Sequence, residues 1–217
     1  MVSSAIRLLS IIATLSIFPA FTAATEPLRI LALGDSLTAG YGLKPADGFT
    51  AQLQRSLEAR GVSVTVLNAG VSGDTTAGGL ARLDWALGDR PDVVILALGA
   101  NDGLRAVNPK VTRANLAEIL QRLRSEALPV LLAGIYAPPN LGTEYASEFN
   151  RIYPELAAQY GTLLYPFFLD GVAAVPELNQ ADGLHPNAEG VAVLVRRITP
   201  YVMQLLALSP KTRPGGI

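Results

Sequence analysis

The chain contains a single histidine, His185, three residues after Asp182 in the string Asp-Gly-Leu-His-Pro. Towards the other end, Gly34-Asp35-Ser36-Leu37 places a serine in a glycine-led turn. A serine, a base and a carboxylate that orients the base are the side chains nucleophilic acyl transfer requires, because a hydroxyl is a weak nucleophile until a neighbouring base takes its proton. One histidine leaves one candidate base. The three-residue spacing lets Asp182 fold back within a single turn and accept an N–H of that imidazole.

These groups are far apart in the chain, so the elements between them must bring them together. Short apolar runs predict strands at Leu28 to Leu33, Val62 to Leu67, Val93 to Leu98, Val130 to Ile135 and Leu163 to Tyr165. Helical spacing of apolar residues occupies Phe49 to Arg60, Thr76 to Leu87, Thr112 to Ala127, Glu144 to Tyr160 and about Asn187 to Leu206. Alternating strands and helices, with several strands almost continuously apolar, imply a parallel sheet covered on both faces. Ligands of such sheets bind beyond the carboxyl ends of the strands. The first strand leads into Gly34-Asp35-Ser36-Leu37, the second into Asn68 to Asp74, and the third into Gly99-Ala100-Asn101-Asp102-Gly103, so three polar loops converge on one edge. Asp182 and His185, which precede the last helix, have to meet them there.

Each of these signals has an ordinary structural alternative. A Gly-Asp-Ser turn is commonly a helix entry, with Asp35 or Ser36 capping backbone N–H groups. Gly70 can serve a backbone conformation, Asn101 a turn, and a lone histidine a structural contact. Asp35, Asp74, Asp102, Asp182 and His185 also offer carboxylates and an imidazole for a metal, but a hydroxyl and an amide donor fit acyl transfer better. The three outer aspartates read as hydrogen-bond acceptors that fix loops. The joint occurrence of these signals in this order is hard to obtain by chance.

The chain has 217 residues, half of them hydrophobic, and 17 Lys+Arg against 18 Asp+Glu give a net charge of −1. That composition supports one globular α/β domain with a substantial core, and it lacks the basic excess expected of a nucleic-acid-binding protein. Residues 1–24 differ: Arg7 is the only charge, an apolar run spans Leu8 to Phe18, and Pro19 precedes small residues at Ala23 and Ala24. The run is short for a membrane span and ends in a small-residue site, so it reads as a cleavable signal peptide, with an uncleaved anchor as the alternative. Export predicts a periplasmic or secreted protein. No cysteine is present, which excludes a disulfide framework and an anchor attached through cysteine. Residues 25–208 are expected to form the one domain, and 209–217, with two prolines and two glycines, a flexible tail.

These blocks carry a resemblance. Gly-Asp-Ser-Leu-Thr-Ala-Gly-Tyr, Asn-Ala-Gly-Val-Ser-Gly-Asp-Thr, Leu-Gly-Ala-Asn-Asp-Gly-Leu-Arg, Tyr153-Pro154 and Asp-Gly-Leu-His-Pro-Asn, in this order from about Ile30 to Leu206, resemble the SGNH hydrolases of the GDSL esterase/lipase superfamily. The resemblance is greatest to the bacterial thioesterase I/protease I/lysophospholipase L1 (arylesterase) subgroup. The third block departs from the commoner Gly-Gly-Asn-Asp at Ala100, a position with no assigned role. The resemblance implies a single three-layer α/β/α domain with a flavodoxin-like parallel sheet of about five strands. It further implies Ser36 as nucleophile, His185 as base and then acid, and Asp182 as its orienting carboxylate. The oxyanion hole would comprise the N–H groups of Ser36 and Gly70 and the amide of Asn101, with no metal or cofactor.

The implied substrates are small acyl esters and thioesters, including aryl esters, acyl-CoA and lysophospholipids. The expected protein is monomeric, and its mature chain does not insert stably in a membrane. In the subgroup the loop after Asn-Asp meets the acyl chain, here Gly103 to Pro109, and Tyr136 to Tyr145 offers a second wall. Leu104, Val107, Ile135 and Leu184 are the candidate substrate contacts, each with ordinary core packing as its alternative. Two other functions share these features: a carbohydrate O-acetylesterase, favoured by an open polar cleft with exposed aromatics, and an exported acyl- or lipid-binding protein with a vestigial triad.

Overall fold

The structure, a computed structural model, describes residues 26–212. The segment read as a signal peptide and the last five residues lie outside that range. Five strands form one parallel sheet in the order β2-β1-β3-β4-β5: β1 (Leu28–Gly34), β2 (Val64–Gly70), β3 (Val93–Ala97), β4 (Val130–Ala133) and β5 (Leu163–Tyr165). This is the flavodoxin-like winding, in which the chain reverses direction across the sheet between β1 and β3. The inner strands β3 and β4 are buried at every position, and β1 from Ile30 onward, because helices cover both faces. The edge strand β2 is buried only at Val64 and Ala69 and exposes Thr65 and Asn68.

One face is covered by α2 (Phe49–Glu58) and α9 (Ala188–Ala207), which pack on each other. The other carries α3 (Thr76–Ala81), α4 (Leu83–Leu87), α6 (Pro109–Ser125), α7 (Thr143–Asn150) and α8 (Ile152–Tyr160). Two one-turn helices, α1 (Ser36–Ala39) and α5 (Ala100–Leu104), sit on the carboxyl edge directly after β1 and β3. Helix α9 is long and apolar enough to cross a membrane by composition, but residues such as Val191, Leu194, Ile198 and Val202 are buried against α2, β4 and β5.

Several expected boundaries move for identifiable reasons. Strand β2 begins at Val64 and runs on to Gly70, three residues past the expected end, because Asn68, Ala69 and Gly70 pair with Ala32, Leu33 and Gly34. The helix expected over 144–160 divides at Arg151, and the restart places Pro154 in the first turn of α8, where the missing N–H has no intrahelical acceptor to lose. The helix expected over 76–87 divides at Arg82, whose guanidinium turns to Asp74 and the Gly34 carbonyl. The tail expected to be flexible from Ser209 is docked as far as Thr212: Ser209 is buried, residues 210–212 form a 3₁₀ turn, and Lys211 Nζ lies 2.9 Å from Asp92 Oδ1.

Gly70 has a packing role that the backbone explains. A Cβ there would lie 2.3 Å from the Ala39 nitrogen and 2.7 Å from its Cα, so the absent side chain lets α1 approach β2. Backbone atoms cannot rotate away as a flexible side chain would. Gly70→Ala is therefore expected to destabilise the fold by about 1–3 kcal/mol, the usual cost of overpacking, and to displace α1; thermal denaturation and activity read the two effects.

Candidate active site

Asp35 begins the site. Its Oδ1 accepts the Leu37 N–H at 3.0 Å, which caps α1 and places Ser36 at the first position of that helix. The N–H of a first helical residue has no partner within its helix, and the Ser36 N–H has no acceptor among the described residues. Asp35 itself is buried, and its Oδ2 has no hydrogen-bond partner among the described residues. Burial raises its pKa to about 6, against the opposing pull of the Leu37 N–H and of His185.

Asp182 organises the other half of the site within one turn. Its Oδ1 accepts the backbone N–H groups of Leu184 at 2.9 Å and His185 at 3.0 Å, and its Oδ2 lies 2.6 Å from His185 Nδ1. These donors, rather than burial, lower its pKa to about 2. An ionised carboxylate only accepts hydrogen bonds, so the neutral imidazole carries its proton on Nδ1 and presents Nε2 as the acceptor. Nε2 stands 2.8 Å from Ser36 Oγ. The Tyr41 ring packs on the imidazole with centroids 4.6 Å apart. The structure therefore brings together the three side chains that the sequence singled out, in an order that can pass a proton from serine to histidine.

The oxyanion donors need one correction. The Gly70 N–H already donates to Asn68 Oδ1 at 3.0 Å, and Gly70 lies within β2 away from the cavity in front of Ser36. The glycine that lines that cavity is Gly73, whose φ of +86° suits glycine and whose N–H has no acceptor among the described residues. Its loop is pinned from three sides: Arg105 Nη2 donates to the Gly73 carbonyl, Arg82 Nε to Asp74 Oδ2, and Asn101 Nδ2 to the Asp74 carbonyl at 2.9 Å. That last bond fixes the Asn101 amide and leaves its second N–H for a ligand. Ser36, Gly73 and Asn101 thus border one space.

That space is an apolar cavity of about 460 Å³. Of the four candidate contacts, Leu104, Ile135 and Leu184 line it, whereas Val107 does not, its carbonyl accepting the Tyr145 hydroxyl at 2.8 Å. Of the two expected wall segments, only Leu104 of the first and Tyr136 to Pro139 of the second reach the cavity. The sequence reading missed Tyr41, Phe167 and Leu169, and did not single out Tyr136, which stacks on Phe167 at 4.5 Å. Tyr136 and Phe167 follow β4 and β5 at their carboxyl ends, so the strand-end rule applied to the last two strands would have found them.

The remaining aspartates serve separate sites. Buried Asp102 accepts the Thr76 N–H and the Thr76 and Thr112 hydroxyls, tying α5 to α3 and α6, while Asp74 meets Arg82. Among the described residues, no three His, Cys, Asp or Glu side chains are grouped to hold a metal.

A doubly wound, flavodoxin-like parallel sheet with a serine, histidine and aspartate array at its carboxyl edge has the architecture of a serine hydrolase. The profile described as GDSL-like Lipase/Acylhydrolase family matches residues 32–193, and the chain belongs to that family. It is 44% identical to Esterase TesA of Pseudomonas aeruginosa over 178 residues, covering 82% of this chain and 89% of that one. It is 40% identical to Thioesterase 1/protease 1/lysophospholipase L1 of Escherichia coli K12 over 161 residues, covering 74% and 76%. Among solved structures it is similar to AlinE4, an SGNH-hydrolase family esterase, with a TM-score of 0.72, 45% identity and coverage of 85% and 99%.

The raised pKa of Asp35 has a consequence for stability. The folded chain holds that proton where the unfolded chain has released it, so stability falls as pH rises from about 4 through 6, by on the order of 3 kcal/mol. Asp35→Asn removes that component. Urea denaturation of both proteins should show the variant gaining on the wild type between roughly pH 4 and pH 7.

Proposed function

We propose that the chain is a serine hydrolase that cleaves acyl esters and thioesters through an acyl-enzyme intermediate. The observation that carries this reading is the continuous chain of hydrogen bonds from Asp182 through His185 to Ser36, opening on an apolar cavity. Carboxylic ester hydrolysis accords with the family and with the relatives named esterase and thioesterase.

In the first half-reaction Ser36 Oγ attacks the acyl carbonyl as its proton passes to His185 Nε2. Asp182 stabilises the resulting imidazolium without taking its proton. The tetrahedral oxyanion is held by the N–H groups of Ser36 and Gly73 and the free N–H of Asn101, donors in place before charge develops. The C–O or C–S bond to the leaving group breaks, and His185 returns the proton to the departing alkoxide or thiolate. In the second half-reaction His185 deprotonates water, the hydroxide attacks the acyl-serine, and collapse releases the carboxylic acid and restores the Ser36 hydroxyl.

The apolar side chains of Leu104, Ile135, Tyr136, Phe167 and Leu184 suit an acyl or aryl group. An acetyl group would leave most of about 460 Å³ unfilled, which argues against a carbohydrate O-acetylesterase. A vestigial binding protein would have no need of intact hydrogen bonding among Asp182, His185 and Ser36. Residues 1–24 support export by a cleaved signal peptide to the periplasm or beyond, and an intact mass beginning near Ala24 or Thr25 tests it.

Hydrolysis of 4-nitrophenyl esters of increasing chain length, beside acyl-CoA thioesters, tests the activity. Turnover should peak at medium chains and fall on the order of 10⁶-fold in Ser36→Ala. Asn101→Ala should lose about 10²- to 10³-fold in kcat. Turnover that survives in Ser36→Ala would overturn the serine mechanism, and activity confined to acetyl esters would favour the O-acetylesterase.

A further inference from the structure

Asp182 and His185 lie in an irregular stretch between the 3₁₀ turn Pro176–Leu178 and α9, and no strand pairing holds them against Ser36. Only two hydrogen bonds among the described residues cross from residues 179–186 to the segment 35–42 that bears the serine. One is the catalytic contact between His185 Nε2 and Ser36 Oγ; the other runs from Gln180 Nε2 to the Tyr41 carbonyl at 2.8 Å. The same Gln180 nitrogen donates to the Pro186 carbonyl at 2.9 Å, while the Gln180 backbone N–H donates to the His185 carbonyl at 2.8 Å. Both side-chain amide protons therefore engage carbonyls, one on the segment that bears the serine and one on the loop that bears the histidine. The fit is close, since a Cβ on Gly42 would lie 2.2 Å from Gln180 Oε1.

We infer that Gln180 is a positioning residue whose amide clips the Asp182–His185 loop to the Tyr41 end of the nucleophile's turn and so holds His185 Nε2 within reach of Ser36 Oγ. The inference rests on the serine mechanism proposed above. Without the clip, the one hydrogen bond left between these two segments among the described residues is the one that must break and re-form in each half-reaction. Asp182 fixes the tautomer and tilt of the imidazole from within its own turn; Gln180 fixes where that turn stands. The Tyr41 ring, packed on the imidazole, belongs to the residue whose carbonyl Gln180 holds, so the clip also sets the aromatic wall beside His185.

Gln180→Met removes both donors and keeps the length of the side chain. It is expected to lower kcat for 4-nitrophenyl butyrate about 10- to 100-fold, the effect of a displacement near 1 Å, with KM changed less than about twofold. Gln180→Glu keeps shape and polarity but turns both donors into acceptors facing carbonyl oxygens, and is expected to lower kcat by at least as much. The decisive readout is a double-mutant cycle: in a His185→Ala background, Gln180→Met should change the residual rate less than about twofold, because nothing remains to position. An equal loss in both backgrounds would overturn the inference, as would a kcat within about twofold of wild type or a loss carried by KM. Normal turnover in Gln180→Met with no turnover in Ser36→Ala defeats the clip alone. Turnover in Ser36→Ala defeats the mechanism on which it rests.

Discussion

The site depends on a neutral imidazole held between an ionised carboxylate and a serine hydroxyl. Asp182 stays ionised because backbone N–H groups of its own turn, and the ring it holds, keep its pKa near 2. An acceptor of that kind determines which nitrogen of His185 bears the proton, and only then can Nε2 accept from Ser36. The Asp-Gly-Leu-His spacing is thus a compact device: one carboxylate caps two N–H groups with one oxygen and orients the ring with the other. The turn is independent of the sheet, so its position must come from contacts outside it.

The sheet supplies the complementary half. Strand β1 ends at Gly34, beside Gly70 of β2 and Ala97 of β3, and the turn that follows puts Ser36 at the start of α1. The loops after β2 and β3 are tied to one another by Asn101 and Asp74, and to the Gly34 carbonyl by Arg82 and the Val71 N–H. Buried Asp102 braces α5 from behind through Thr76 and Thr112. The donors proposed for the oxyanion are in this way fixed by neighbours that do not line the cavity in front of Ser36, as electrostatic preorganisation requires. Asp35 illustrates the cost: its cap orders the serine turn, but its second oxygen is buried without a partner and its pKa rises.

Much of this was legible in the sequence, because its chemistry is local. The Asp182–His185 turn is a matter of spacing, and β1 from Ile30 and β3 are apolar runs of the kind a parallel sheet covered on both faces buries. The failures occur where the answer depends on register. Gly70 and Gly73 stand three residues apart beyond the same apolar run, and telling the packing glycine from the cavity glycine requires knowing that β2 continues until Gly70 faces Gly34. Leu104 ends α5 and Val107 follows it three residues later, yet only Leu104 lines the cavity, while the Val107 carbonyl accepts the Tyr145 hydroxyl. Gln180 gave no signal at all, since an amide whose partners are backbone carbonyls of distant segments looks like any polar loop residue.

The most direct test of the account follows the one histidine by NMR, where a chain with a single imidazole needs no assignment of its ring. In ¹⁵N-labelled protein the neutral ring is predicted to carry its proton on Nδ1, with a strongly deshielded proton shared towards Asp182 and an unprotonated Nε2. Asp182→Asn should abolish that resonance and allow the other tautomer. A neutral ring protonated on Nε2 in the wild-type protein would contradict the account, because Ser36 would then have no base.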